Sequence, residues 1–397
     1  MSRVSRLRIF VASSALPKPD ENAGDRRLSA LIELLARHHR VDLWLGDPPA
    51  SADTDRYLSL VRATGAHVLG WGWSGYVSAM TSTQYHLGVF EFYHTAAGLM
   101  ADFRRRQPGA RVVIDSVDIH FAREADGAAL GVIDAAAARE TATRELAAYR
   151  SADAVIVVTD ADARLLEHAG GVRQLFVIPL IIPVRTRSQG RHGRGLLFVG
   201  SFRHPPNADG IRWFMSEVWP LIAAEEPETT LDIVGSRPPP EVRAFGESRG
   251  VTVHGFVADL DALLSQATVS IAPLRYGGGM KGKVCEALAW GIPVVTTSAG
   301  VQGLPVQSGT ELLVGDDAPR FAAGVLSLLR DSAYAEGIEA AGQRAAASYA
   351  PETVERQVDD MIAALAPNPR AFGPRLAWLR ASAAHTLRAV GRRVMPG

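Results

Sequence analysis

Short apolar, β-rich runs alternate with helical stretches along nearly the whole chain, and the alternation lapses once, over residues 181–194. Before the lapse the strands are expected at Leu7–Ala12, His39–Leu45, His67–Trp71, Leu87–Phe92, Arg111–Asp115, Ala154–Val158 and Leu175–Ile178. After it they are expected at Leu196–Val199, Thr230–Val234, Val251–His254, Val269–Pro273, Pro293–Thr297 and Leu312–Val314. Helical patterns fall between them, as in Arg26–His38, where Leu28, Leu31, Ile32, Leu34 and Leu35 share one face. Strands separated by helices pair in parallel, and a parallel sheet needs helices on both faces. The lapse itself, Ile181 to Arg194, is basic, polar and glycine-containing, which suits a linker. At 397 residues the chain exceeds one ordinary core.

The fold class expected is therefore α/β, with two Rossmann-like doubly wound domains. The first spans 1–183, the linker 184–194 and the second domain 195–350, followed by a helix at 351–366 and a basic amphipathic tail at 367–397. In open sheets of this kind a ligand sits at the carboxyl ends of the strands.

Composition narrows the function. Lysine plus arginine equals aspartate plus glutamate at 42 each, so no global field attracts nucleic acid. The single cysteine, Cys285, excludes an intramolecular disulfide framework and reads as a small buried side chain. Arg3, Arg6 and Arg8 precede Ile9-Phe-Val-Ala12, but that apolar run is of strand length rather than that of a signal peptide. The longest apolar run, Leu175 to Val184, is broken by Pro179 and Pro183 and is far shorter than a membrane span. The expected location is cytoplasmic. Arginines alternating with Phe372, Leu376, Trp378 and Leu379 across 370–397 read either as a peripheral contact with the inner membrane face or as a terminal helix lying over the protein's own surface. The second reading is favoured.

Two glycine-rich segments in the second half carry chemistry. The run Arg275-Tyr-Gly-Gly-Gly-Met-Lys-Gly-Lys-Val-Cys-Glu286 follows a strand and opens a helix. Glycines permit close backbone approach, and the free N–H groups and positive dipole end of a helix favour an anion. Lys281 and Lys283 add full charges, and Glu286 lies one turn into the helix, within reach of a neighbouring sugar hydroxyl. The segment suits a diphosphate. The other, Phe198 to Gly210, leaves a strand at Gly200. There Pro205-Pro206 are expected to force an extended turn, Asn207 to cap the next helix, and Arg203 to meet a phosphate.

Together these segments resemble retaining glycosyltransferases of the GT-B fold, group 1-like, over most of residues 7 to 365. The resemblance rests on Phe198-Val-Gly-Ser, the Pro-Asn-Ala-Asp-Gly turn, Gly255-Phe256, Gly277–Lys283, Glu286-Ala-Leu-Ala and Gly291-Ile-Pro-Val-Val-Thr-Thr to Gly300-Val-Gln-Gly303. It implies two domains facing across a cleft and a nucleoside-diphosphate sugar as donor substrate, with no cofactor. Glu286 would hold the ribose hydroxyls as the second acid of a Glu-x7-Glu motif, yet Gly278 stands in the first acid's place. The amides of Gly278, Gly279 and Met280, with Lys281 or Lys283, would then replace it. Phe256 would lie by the base, and Val301 and Gly303 near the diphosphate or ribose.

In the first half the resemblance places Gly24 close to the transferred sugar, with Arg26 and Arg27 at the helix start and Asp25 as its N-cap. Asp118 or His120 would face the donor sugar; counted as one extended segment, both share a face. His94 is a weaker candidate for acceptor contact, Arg123 and Glu124 form a local ion pair on this reading, and loops such as Gly72–Gln84 would set acceptor choice. The acceptor would be a glycan, a lipid-linked sugar or a small hydroxyl compound. Asp115 and Asp118 are three apart and form no Asp-x-Asp pair, and positive groups would stabilise the leaving group, so no metal is expected. Two other readings stay open: a sugar-nucleotide epimerase or hydrolase of the same fold, and a non-catalytic sugar-nucleotide-binding protein. A dehydrogenase is disfavoured, because neither Val11-Ala-Ser-Ser nor Val199-Gly-Ser-Phe has the Gly-x-Gly-x-x-Gly spacing.

Overall fold

A computed structural model describes residues 6–48, 53–129, 133–185, 195–277 and 279–365. Most of the linker, Gly278 and the amphipathic tail lie outside the described residues. The chain forms two compact units. One comprises Met1–Lys18, Arg27–Ile178 and the chain from Glu355, and the other Pro19–Arg26 and Pro179–Val354.

The first unit is built on strands β1 (Arg8–Ser13), β2 (Arg40–Leu45), β3 (His67–Trp71), β4 (Leu87–Glu91), β5 (Arg111–Asp115), β6 (Ala154–Val157) and β7 (Leu175–Val177). All pair in parallel, in the order β3-β2-β1-β4-β5-β6-β7. After its first residue β1 is buried throughout, as a central strand covered on both faces must be. Phe10 stands among Tyr85, Phe90 and Phe103, with ring centroids 5.4 to 6.2 Å away. Gly88 admits this cluster, since a Cβ there would lie 2.7 Å from the Phe103 ring.

The second unit has strands β8 (Gly195–Val199), β9 (Thr230–Val234), β10 (Val251–Gly255), β11 (Val269–Ala272), β12 (Val294–Thr296) and β13 (Leu313–Val314). They too are parallel, ordered β10-β9-β8-β11-β12-β13. Each sheet reverses its direction of winding beside its first strand, between β1 and β4 and between β8 and β11. That switch point is where an open α/β sheet leaves a crevice for a ligand. Every expected strand is present, and the doubly wound α/β class holds in both units.

Helical details depart from expectation. The single helix expected over Asn207–Ala224 is instead Pro205–Trp213, a π-turn at Phe214–Val218 and a further helix from Trp219. Pro220 supplies no N–H and crowds the carbonyl four residues back, which the widened turn accommodates. Gly72–Gln84 is not a loop: Gly72–Ser82 is helical. Among the described residues no helix is long and apolar enough to cross a membrane.

Candidate functional site

At the switch point of the second unit, β8 is followed by Gly200, whose N–H donates to the Val234 carbonyl. A Cβ on Gly200 would sit 2.8 Å from Lys283 Nζ and 2.9 Å from Asn207 Nδ2, so the backbone passes directly against a lysine ammonium. Lys283 donates to Asn207 Oδ1 and rests 4.8 Å above the Phe198 ring. Asn207 Nδ2 donates in turn to the Ser201 carbonyl at 2.6 Å. Asn207 is therefore not a cap. The N-cap is His204, Pro205 and Pro206 open the helix instead of extending the turn, and Asn207 is buried one turn in. Burial, with neighbouring Lys281 as a smaller cause, pushes the Lys283 ammonium down to about 7.

The Pro-Asn-Ala-Asp-Gly segment lies within this helix, and three of its residues have separate physical roles. Asp209 receives the Arg275 guanidinium in a two-pronged pair, at 2.8 Å to Nε and 2.5 Å to Nη2, tying the end of β11 to the helix after β8. Gly210 lies so close to the Pro273 carbonyl that any Cβ would overlap it. One residue thus orients Lys283, one clamps the glycine loop and one allows the two backbones to touch.

The glycine loop turns through Gly277, φ 127°, and Gly279, φ 67°, a region only glycine enters without strain. Lys281 folds back onto it, donating to the Gly277 carbonyl at 2.9 Å and the Gly279 carbonyl at 2.7 Å. It is also the residue preceding the helix Gly282–Ala289. Lys281 thus braces the loop and Lys283 is the ammonium aimed at β8, a division the sequence did not reveal. Met280 is partly buried against the core cluster that includes Cys285. Cys285 is fully buried, and burial pushes its thiol up to about 12.

Glu286, one turn into the helix, meets Arg26: Nη1 to Oε1 is 2.5 Å. Arg26 belongs to the segment Pro19–Arg26, which groups with the second unit, and its Nε donates to the Pro19 carbonyl at 3.0 Å. A second pair from the same segment joins Glu21 to Arg203 at 3.7 Å, and Arg203 is exposed. Gly24 falls in the first turn of the helix Ala23–His38, where Asn22 Oδ1 accepts the Asp25 N–H at 2.8 Å. Asn22, not Asp25, fills the capping role. Phe256 is 46% exposed just after Gly255, Gly303 has φ 78°, and Val301 is partly buried against the core.

In the first unit Arg27 has a structural role. Its Nη1 contacts both oxygens of Asp115 at 2.7 and 2.8 Å, its Nη2 reaches the Ile178 carbonyl, and neither side chain of the pair is exposed. Because β5 ends at Asp115 and a helix begins at His120, the segment carrying Asp118 and His120 is not extended, and the two do not share a strand face. Asp118 pairs with Arg123, so Arg123 does not take Glu124 as its ion-pair partner. His120 joins a ring cluster instead, with centroids 5.4 Å from Phe92, 5.4 Å from Tyr93 and 6.1 Å from His94. Buried Glu145 accepts the His120 and Phe121 N–H groups and caps that helix from outside. Burial, and His120 beside it, push the His94 imidazole below its usual range. Phe92 opens the next helix with φ 61°, strained for a non-glycine residue, at the switch point between β1 and β4. The sequence reading passed over Phe92 and Tyr93; a strand ending in four consecutive polar or aromatic residues, Glu91-Phe-Tyr-His, was the available signal.

Residues 193–331 match the family "Glycosyl transferases group 1". A curated protein of Klebsiella pneumoniae, "Uncharacterized 44.6 kDa protein in cps region", is 26% identical over 158 residues, covering 38% of this chain and 41% of that protein. Sucrose-phosphate synthase from Thermosynechococcus elongatus has a similar structure, with TM-score 0.68, 19% identity, and coverage of 91% of this chain and 99% of that one. Anabaena HepE, solved with UDP and glucose, gives TM-score 0.69 at 16% identity over 90% of this chain and 100% of its own. A TarM variant from S. aureus, solved with fondaparinux, alpha-GlcNAc-glycerol and UDP, gives TM-score 0.68 at 10% identity over 89% and 99%. The fold is that of the GT-B glycosyltransferases. The resemblance to group 1 enzymes holds, carried in sequence by residues 193–331.

Proposed function

We propose that the chain is a retaining, metal-independent glycosyltransferase that moves a sugar from a nucleoside-diphosphate sugar to a hydroxyl acceptor. The observation that carries this reading is Lys283, held by Asn207 and Phe198 against Gly200 at the switch point, beside the glycine loop and the N-terminus of the helix bearing Glu286. A preorganised cation partly withdrawn from water stabilises charge that develops as a diphosphate departs. Lys281, with the helix end, sets the loop that would lie along the phosphates. The anomeric carbon–oxygen bond to the diphosphate breaks, the acceptor oxygen bonds to the same face of the sugar, and the acceptor proton passes to a departing phosphate oxygen. Glu286 would accept from ribose hydroxyls, Phe256 would lie against the base, and Gly303 would allow close approach. HepE and TarM were solved with UDP, so uridine diphosphate sugars head the donor panel. A role in polysaccharide or glycolipid synthesis belongs to the same reading.

Incubation with a panel of nucleotide sugars and acceptors tests the reading. Nucleoside diphosphate should appear with a glycoside whose anomeric configuration, read by NMR, matches the donor's. Inversion would overturn the stereochemical part. Saturable donor binding without turnover on any acceptor would instead support the non-catalytic reading.

A further inference from the structure

We propose that the carboxyl end of β3 carries a stacking platform for a neutral pyranose ring, formed by Trp71 and Trp73, and that this is where a carbohydrate acceptor binds. Exposing an indole to water is costly, yet Trp71 is 47% and Trp73 56% exposed, two residues apart. The Trp73 ring is held in place. Trp73 stacks on Tyr76 with centroids 5.2 Å apart and planes inclined by 29°, and fully buried Tyr76 lies edge-on against Trp44 and Phe10 at 5.8 and 5.9 Å. An aromatic column thus runs from the core to the surface and ends in one exposed indole. The backbone at Trp71 is set by the turn it occupies, between Gly70 at φ 113° and Gly72 at φ 66°, and the Trp44 Nε1–H donates to the Gly72 carbonyl at 2.8 Å. A rigid aromatic face loses little freedom on binding, and its negative π-face attracts the polarised C–H groups on the apolar side of a sugar.

Charge decides between a sugar and a lipid surface. No Asp, Glu, Lys or Arg occurs from Val68 to Tyr85, whereas an interfacial membrane element needs basic residues among its aromatics. What accompanies the indoles is neutral and polar: Ser74 and Ser78 are exposed one turn apart on the helix Gly72–Ser82. Asp47, exposed just beyond the end of neighbouring β2, adds an acceptor for hydroxyl groups. Hydroxyl-bearing side chains around an aromatic face match a carbohydrate, which is apolar on its ring faces and hydroxylated at its rim. The platform's identity as an acceptor subsite rests on the proposed sugar transfer; the stacking of a pyranose does not.

The test uses the full chain labelled with 5-fluorotryptophan, with the two resonances assigned by Trp71→Phe and Trp73→Phe. Titration with methyl glucoside, methyl galactoside and methyl mannoside should shift the Trp71 and Trp73 resonances and leave the other indoles in place. Trp73→Ala should raise the half-saturating pyranoside concentration roughly tenfold. Donor binding, followed separately by thermal shift with UDP-sugars, should be as in the parent. Absence of a shift with every pyranoside overturns the platform, as does a shift with phosphatidylglycerol vesicles in place of the sugars. Loss of donor binding in the parent protein, with the pyranoside shifts intact, would count against the transferase reading alone.

Discussion

Arg26 and Glu286 stand 260 positions apart in the chain and meet through Nη1 and Oε1 at 2.5 Å. The carboxylate proposed to receive ribose hydroxyls therefore already has a cationic partner within the chain. Glu286 is mostly buried and Arg26 about one-third exposed, so the pair is partly screened by water. A ribose would have to displace this contact or share the carboxylate's remaining lone pairs.

From that competition we expect opposite effects at the two ends of the pair. Glu286→Ala should weaken donor binding on the order of 10- to 100-fold, the loss expected for hydrogen bonds to a charged group. Arg26→Ala should leave affinity unchanged or tighten it by up to about tenfold. Calorimetric titration of folded variants with UDP-sugars measures both, and a large loss with Arg26→Ala would make Arg26 a ligand of the donor rather than a competitor for Glu286.

The neighbouring arginine should behave differently. Arg27 and Asp115 form a fully buried pair that fastens the helix Ala23–His38 to the end of β5 and to the Ile178 carbonyl. Arg27→Met leaves Asp115 buried without its cation, which should cost about 3–5 kcal/mol of stability. Chemical denaturation should show the loss. Donor affinity, measured under conditions where the variant is folded, should match the parent.

This contrast shows what the sequence could and could not disclose. Strands such as β1 and β6 are buried on both faces, so they appear as short apolar runs with turn residues nearby, and the alternating architecture follows. The glycine loop and Glu286 were legible because backbone freedom and charge are local properties. Partners are not local. Nothing in the sequence indicated that Lys283 would meet Asn207, 76 positions earlier, or that Arg26 and Arg27, adjacent in the chain, would serve different carboxylates. The pairing of Asp118 with His120 on one face failed because it assumed a strand continuing past Asp115. The helix Gly72–Ser82 was missed because Gly72, Gly75 and a mixed run of small and aromatic residues hide its periodicity.

Metal independence is open to direct measurement. If Lys283 and the helix end supply the positive charge that meets the departing diphosphate, EDTA should leave transfer within about twofold of its untreated rate. Loss of transfer that added magnesium restores would show that a divalent ion carries that charge.

Lys283 should also set how donor binding depends on pH. Burial holds its ammonium near 7, against an ordinary value of 10.5, and an adjoining diphosphate would raise it again. Below about 7 the lysine is charged with or without donor, so affinity should be flat. Above 7 the lysine without donor has lost its proton and must regain one on binding, so affinity should fall with rising pH until the donor-bound lysine itself deprotonates. The same depression has a cost to the fold. Between about 7 and 10.5 the unfolded chain holds a proton that the folded site has released, so this group makes stability rise with pH across that window. Lys283→Met keeps the apolar stem over Phe198 and removes the partly desolvated charge. It should abolish the pH dependence of donor binding along with most of the affinity, and raise the melting temperature at pH 6 by on the order of a few degrees. That gain should shrink by pH 9. A variant that binds donor with the parent's affinity and pH profile would remove Lys283 from the site.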